Sequence, residues 1–333
     1  MSRAAVLGAG SWGTALALHL SRTGTRTRLW ARSGRLARSI AAARENADYL
    51  AGHLLPGDLE VTADLPLALR GAELVLFVVP AQFSRVLYRD AAAHLPAGAD
   101  LVIASKGIEA DSLLPLSAVL VHEIGRREEH RIAALSGPSF AVEVARGDPT
   151  AVVVAGPDGA MLRRVQDTIS RGNLRAYRNG DRLGVEAAGA LKNVVALATG
   201  IAEGIGLGCN ARAALITRGM VEMTRLGVAM GGRAATFAGL AGAGDLILTC
   251  TGALSRNRSV GLEVGRGRRL DEVLGGMRMV AEGVSTVRAA VALADRHGVE
   301  MPIAREVHAV LFEGRPPRDA VAALLARPLK EEA

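Results

Sequence analysis

The sequence predicts an α/β fold in two parts: a doubly wound parallel sheet over residues 1–180, then an all-α domain over residues 181–333. Three observations carry this reading. Short apolar runs alternate with helical patterns through the first half. A glycine-rich turn stands between the first strand and the first helix. Beyond the segment "LRAYRNGD", near residues 178–184, no convincing strand remains.

The elements follow in order. "RAAVLG" (3–8) reads as a buried strand, and "SWGTALALHLSRTG" (11–24) as a helix stopped by glycine. "TRLWAR" (27–32), "ELVLFVVP" (73–80), "ADLVIAS" (99–105), "RIAAL" (131–135) and "TAVVVAG" (150–156) read as further strands. Strands alternating with helices imply parallel pairing and helices on both faces. In the second part, segments 182–204, 211–230, 233–241, 257–266, 284–298 and 302–312 have helical patterning. The polar tail "LKEEA" is expected to fray.

Composition narrows the function. Half of the residues are hydrophobic, yet no uninterrupted apolar run approaches the ~18 residues of a membrane span. No export signal is expected from "RAAVLGAGSWG", and the two cysteines, Cys209 and Cys250, lack metal spacing and are too few for a disulfide framework. A cytoplasmic protein with no integral membrane segment and no metal is the expectation. The net charge is +7, but the arginines are scattered and aromatic residues make up only 3%. That pattern argues against nucleic acid and leaves room for a local cation cluster around a small anionic substrate.

The glycine-rich turn is "VLGAGSWG", which places Gly8, Gly10 and Gly13 directly after a strand and at the opening of a helix. In that context G-x-G-x-x-G is a dinucleotide fingerprint, and the sheet becomes Rossmann-type. Gly8 permits the turn, Gly10 leaves room for a pyrophosphate at the helix N-terminus, and Gly13 lets helix and strand approach. NAD enzymes place an acidic residue at the end of the second strand; here stand Arg32 and Ser33. Arginine suits a 2′-phosphate, so the cofactor is NADP or NAD, with NADPH favoured.

Lysine is rare in this chain: of 40 basic residues only Lys106, Lys192 and Lys330 are lysines. Lys106 follows a strand in "IASKGIE", as "VVPAQFSRVL" follows the strand before it, both at the carboxyl ends where such sheets bind ligands. Gly137, Pro138 and Ser139 of "LSGPSFAVEV" form a turn with the same placement. Lys192 lies with Asn193 in "GALKNVVALATG", read as an amphipathic helix with no other charge between Glu186 and Glu203. In "AGAGDLILTCTGALSRNRSVG" (241–261), Asp245 is a carboxylate in apolar company, either functional or a helix cap, and Ser255, Arg256 and Asn257 suit a phosphate. Taken together, these clusters are expected to line a cleft.

The blocks "GAGSWGTALA", "SKGIE", "LSGPSFAVEV", "ALKNVVALATGIAEGIGLG", "AGAGDLILTCTGALSRNRSVG" and "MVAEGVST" resemble the bacterial NAD(P)-linked glycerol-3-phosphate dehydrogenases, from about residue 4 to 315. The resemblance implies reversible reduction of dihydroxyacetone phosphate to sn-glycerol 3-phosphate, a product used for phospholipid synthesis, by a homodimer. It places Ser11 and Trp12 on the cofactor, with Arg32, Ser33 and Tyr49 near the adenosine end and Ala141 also on the cofactor. Lys106 is implied to touch both cofactor and substrate, and Gly137 and Ser139 to bind the substrate. Lys192 matches the family's proton-transferring lysine, and Asp245 its supporting carboxylate. Ser255, Arg256 and Asn257 are implied to hold the phosphate, with Arg256, Val280 and Glu282 also facing the cofactor. The chemistry agrees with the choice of residue, because a lysine can transfer a proton and an arginine cannot usefully do so. Two other readings of the residues are a related two-domain hydroxy-acid dehydrogenase and a redox sensor that binds NADPH without turnover.

Overall fold

The computed structural model describes residues 2–277, 279–329 and 331. The tail expected to fray falls partly outside the described residues, at 330, 332 and 333. Contacts divide the chain into two compact units, one formed by residues 1–109 and 114–186, the other by 110–113 and 187–333.

The first unit is a sheet covered by helices. Its strands are β1 (Arg3–Leu7), β2 (Arg26–Trp30), β5 (Glu60–Thr62), β6 (Leu74–Phe77), β7 (Asp100–Ile103), β8 (Ile132–Ser136), β9 (Thr150–Ala155) and β10 (Leu174–Asn179). They pair in the order β10-β9-β8-β7-β6-β1-β2-β5. A separate two-stranded hairpin joins β3 (Glu45–Asn46) to β4 (Leu50–Leu54). The helices are α1 (Ser11–Arg22), α2 (Gly34–Ala43), α3 (Leu65–Leu69), α4 (Ser84–Ala92), α5 (Leu116–Ile124), α6 (Ala141–Arg146) and α7 (Gly159–Ile169). All residues of β6 and β7 are buried. Both faces of these central strands are covered, which is why they read as continuous apolar runs without alternation.

The register sets the site. Val6 of β1 pairs with Leu29 of β2 and Leu76 of β6, so these parallel strands end side by side. The segments after β1, β2, β6 and β7 therefore emerge at one edge of the sheet. One pairing departs from the expected parallel sheet: β8 and β9 run antiparallel, with Leu135 opposite Val154. The connection between them holds a helix of only six residues, α6. Such a helix rises about 9 Å, less than the ~17 Å of a five-residue strand, and does not return the chain to the starting edge for a parallel pass.

The second unit is helical. The long α8 (Arg182–Gly204) enters it and is followed by α9 (Cys209–Ala229), α10 (Ala234–Phe237), a π turn at Leu240–Gly244 and α11 (Asp245–Thr251). Then come α12 (Arg256–Gly265), α13 (Leu270–Gly275), α14 (Glu282–His297), α15 (Pro302–Phe312) and α16 (Pro317–Leu325). Helix α8 is not the amphipathic helix expected: residues 184–202 are all buried. Apart from Glu186, Lys192, Asn193 and Thr199, the buried residues of this stretch are small or apolar all round, as a central core helix requires. Its length and composition would also suit a membrane span, but its apolar window is wholly buried within the protein.

Helices α8 and α12 touch backbone to backbone. A Cβ on Gly200 would lie 2.1 Å from the Arg258 carbonyl oxygen, and one on Gly261 would lie 2.2 Å from that of Leu197. This crossing brings the N-terminus of α12 to the middle of α8. Elsewhere in the unit, Glu222 of α9 is buried and accepts hydrogen bonds from the Ile303 and Ala304 N–H groups (2.8 and 3.3 Å) in the first turn of α15.

Burial pushes the Glu222 carboxyl from 4.5 up to about 7, against the opposing pull of those two N–H groups. A raised folded pKa gives stability that is present below the unfolded value and lost as pH rises through the folded one. Between roughly pH 5 and roughly pH 8, the wild type should lose about 3 kcal/mol of unfolding free energy relative to Glu222→Gln, read from urea melts at each pH. A difference independent of pH would contradict this assignment.

Candidate active site

One group of candidate residues sits at the sheet edge. Gly8 follows β1 with φ +128°, in the left-handed region, and a Cβ there would lie 2.3 Å from the Val78 carbonyl oxygen. A Cβ on Gly13 would lie 1.8 Å from the Gly8 carbonyl oxygen. Both glycines are required by the closeness of turn, helix and strand. Gly10 differs: it caps α1, and nothing lies within 4 Å of where its Cβ would be. The first-turn N–H groups of α1 have no carbonyl one turn back, and no acidic residue occupies that turn. This open, donor-rich cradle fits a dinucleotide pyrophosphate.

The remaining cofactor candidates surround that cradle unevenly. The Ser11 hydroxyl donates to the Tyr49 carbonyl at 2.6 Å, joining the start of α1 to the hairpin turn. Trp12 packs against the core, and its indole Nε1 is buried without a hydrogen-bond partner among the described residues. Arg32 is exposed just beyond β2, its guanidinium 5.7 Å from the centre of the Phe83 ring. The Ser33 hydroxyl accepts from the Leu36 N–H at 3.4 Å and caps α2.

Lys106 and the turn after β8 meet at one carbonyl. Lys106 Nζ donates to the Gly137 oxygen at 2.9 Å, and the Ser139 hydroxyl donates to the same oxygen at 3.0 Å. Gly137 itself has φ +130°, and a Cβ there would press to 3.0 Å from the Val152 Cα. Ala141 opens α6 and packs against the same core as Trp12.

The other group lies within the helical unit. Lys192 is 5% exposed and Asp245 2%. Lys192 Nζ lies 3.1 Å from Asp245 Oδ1 and donates to the Thr249 hydroxyl at 2.6 Å. That hydroxyl in turn donates to the Asp245 carbonyl oxygen at 2.6 Å, leaving its lone pairs toward the ammonium. A buried cation needs such partners, since removing one member of a buried pair costs about 3–5 kcal/mol. Asp245 is the first residue of α11, after the π turn, while Gly244 holds the cap position. Cys250 adjoins this group; burial pushes its thiol up to about 11, so no thiolate competes for the lysine near neutral pH.

The phosphate candidates form the start of α12. Ser255 caps the helix by accepting from the Arg258 N–H at 3.3 Å. The N–H groups of Arg256 and Asn257 stand in the first turn, where a helix has no internal acceptors. The Asn257 amide bridges two other elements: it donates to Asn193 Oδ1 at 2.8 Å and accepts from the Gly283 N–H at 2.9 Å. Arg256 Nη1 donates to the Val280 carbonyl at 2.9 Å, just before Glu282 opens α14. Arg256, Val280 and Glu282, assigned to the cofactor by resemblance, thus lie in the second unit and the other cofactor candidates in the first.

One participant and one link were missed in the sequence. Thr249 shares a helix face with Asp245 at a spacing of four, but that signal exists only once 245–251 is known to be helical. The Asn193–Asn257 link joins residues 64 apart and has no local signature. Among the described residues, no group of three or more His, Cys, Asp or Glu side chains is placed to hold a metal ion.

A doubly wound unit with an open glycine cradle, together with a helical unit holding a buried lysine, defines a nicotinamide-dinucleotide oxidoreductase. The comparisons give the particular family. Residues 3–162 match the NAD-dependent glycerol-3-phosphate dehydrogenase N-terminus, and residues 181–322 match the C-terminus of the same family. A protein from Geobacter sp. (strain M21), described as glycerol-3-phosphate dehydrogenase [NAD(P)+], is 52% identical over 328 residues, 98% of each chain. One of the same description from Koribacter versatilis is 49% identical over 334 residues, spanning 100% of this chain and 99% of its own. The crystal structure of glycerol-3-phosphate dehydrogenase from Coxiella burnetii superposes with a TM-score of 0.93 at 39% identity, covering 98% of this chain and 99% of that one. The chain belongs to the NAD-dependent glycerol-3-phosphate dehydrogenase family and is an NAD(P)-dependent oxidoreductase.

The three fingerprint glycines have separable roles. Gly13→Ala should lower the unfolding free energy by about 1–3 kcal/mol, as forced overpacking does. Gly10→Ala should change it by less than about 1 kcal/mol, the scale of a helix-cap change, but weaken NADH and NADPH at least tenfold. Urea melts and nicotinamide fluorescence titrations read the two effects, and equal stability losses would refute the division.

Proposed function

We propose that the enzyme reversibly reduces dihydroxyacetone phosphate to sn-glycerol 3-phosphate with NAD(P)H, using Lys192 as proton donor in that direction and acceptor in the other. The observation that carries this reading is the Lys192 ammonium held by Asp245 and Thr249 inside an otherwise uncharged helix stretch. A nicotinamide dinucleotide held at the Gly8–Gly13 cradle would supply the hydride for the C2 carbonyl carbon. As negative charge grows on the carbonyl oxygen, Lys192 Nζ stabilises it and passes a proton to it. Asp245 and Thr249 fix where Nζ stands. Arginine at that place would supply charge but no transferable proton.

The other residues divide by chemistry. The first turn of α12, with the Arg256 fork and the Ser255-capped N–H groups, suits the phosphate dianion of the substrate. Lys106, Gly137 and Ser139 supply donors at the sheet edge for substrate and cofactor. Arg32 supports a preference for NADPH, because a guanidinium matches a 2′-phosphate and an acidic residue would repel it. The functional division falls at 180/181, a cofactor domain before and a substrate domain after. The family resemblance supports a cytoplasmic homodimer whose product enters phospholipid synthesis.

The test is a nicotinamide absorbance assay with the purified protein. Dihydroxyacetone phosphate should be consumed one for one with NADH or NADPH, and unphosphorylated dihydroxyacetone should react poorly. Lys192→Arg should lower kcat by about 10²–10⁴-fold, the value of general acid–base catalysis, with cofactor affinity nearly unchanged. A variant with near-normal kcat would remove Lys192 from the proton step.

A further inference from the structure

Two segments follow adjacent strands of the sheet: "VVPAQFSRVL" after β6 and "IASKGIE" after β7. Only Lys106 of the second has a role above. The structure fastens the two segments to each other on both sides of that lysine. Before it, the Ser105 hydroxyl donates to the Val79 carbonyl at 2.5 Å. After it, Gln82 Nε2 donates to the Ile108 carbonyl at 2.9 Å. One residue further, Arg85 grips Glu109 with both ends of its fork: Nε to Oε1 at 2.8 Å and Nη2 to Oε2 at 2.6 Å. Arg85 is itself held from the far side by Glu123 of α5, with Nη1 to Oε1 at 2.7 Å. The Glu109 side chain is only 10% exposed.

This is more than loop packing requires. A two-pronged guanidinium–carboxylate pair fixes a plane as well as a distance. It stands three residues from Lys106, on a segment whose own backbone is irregular. Helix α4, which carries Arg85, is anchored in the core by Leu87, Tyr88 and Ala91. The chain of contacts therefore runs from a helix anchored in the core, through Arg85 and Glu109, to the backbone that presents Lys106.

We propose that Arg85 and Glu109, assisted by Gln82, are positioning residues that set the placement of the Lys106 ammonium during turnover. The proposal rests on Lys106 being part of the active site. A displacement of about 1 Å at a reacting group can cost about a hundredfold in rate, so a clamp on this loop has a kinetic consequence that a merely stabilising ion pair lacks. Arg85→Lys should fail to replace the clamp, since an ammonium offers a point charge and no plane.

A double-mutant cycle in the full-length enzyme with bound cofactor separates the possibilities. Lys106→Ala, Glu109→Gln and the double variant are compared by kcat and KM for dihydroxyacetone phosphate. Glu109→Gln should lower kcat/KM by about ten- to a hundredfold, Arg85→Lys similarly, and Lys106→Ala at least as much. In the Lys106→Ala background, Glu109→Gln should then cause no further loss, because residues acting as one unit are not additive. Gln82→Ala, a milder change, is carried through the same cycle and decides the matter if the Glu109 variant does not fold. Losses that multiply in the double variants would show that these residues act independently of Lys106 and overturn the proposal, as would full activity of both Glu109→Gln and Gln82→Ala. Full activity of Lys106→Ala would overturn it too, and would in addition remove Lys106 from the site.

Discussion

A cation in an apolar interior must be paired, and the helical unit is arranged around that requirement at Lys192. The ammonium lies in the middle of α8, where residues 184–202 are buried and no other charge is present between Glu186 and Glu203. Two of its partners come from one helix, α11, whose first residue is Asp245 and whose next turn brings Thr249. The π turn before α11 shifts the helical phase at this point, a distortion that recurs at functional sites. The same pairing that makes burial tolerable also fixes Nζ in space, as the proposed proton transfer needs.

Close backbone approach is the second device. Glycines at the α8–α12 crossing let the two helices meet without side chains between them, which places the Ser255–Asn257 turn beside Asn193, the neighbour of Lys192. In the sheet unit, Gly8 and Gly13 let β1, its turn and α1 collapse together, while Gly10 is left with open space. In both units the positions that would clash shape the scaffold, and Gly10, with open space around it, is the one that fits the proposed pyrophosphate.

Much of this was legible from residue types. The fingerprint glycines followed a strand and opened a helix, and the six helical segments of the second part fall on helices, with 233–241 divided between α10 and the π turn. The rarity of lysine marked Lys106 and Lys192 before any geometry was known. What escaped was set by tertiary context. The antiparallel turn of β9 depends on the shortness of α6, and the polar β3–β4 hairpin and β5 show no alternation. Helix α11 was hidden in a glycine-rich stretch, and with it the role of Thr249. Helix α8 was read as amphipathic around a lysine in apolar company; the lysine is indeed inside, but so is every residue from 184 to 202, which leaves no polar face. Arg85 and Glu109 lie on segments that were singled out, yet nothing local shows that one grips the other.

The central claim is that a proton passes through a lysine held in place by Asp245 and Thr249. The most direct measurement compares kcat for dihydroxyacetone phosphate in Thr249→Ser and Thr249→Val, two variants of which only the first retains a hydroxyl toward Nζ. Thr249→Ser should remain close to the wild type, while Thr249→Val, similar in shape, should fall by about ten- to a hundredfold with unchanged cofactor affinity. Equal and near-normal kcat in both variants would contradict the account.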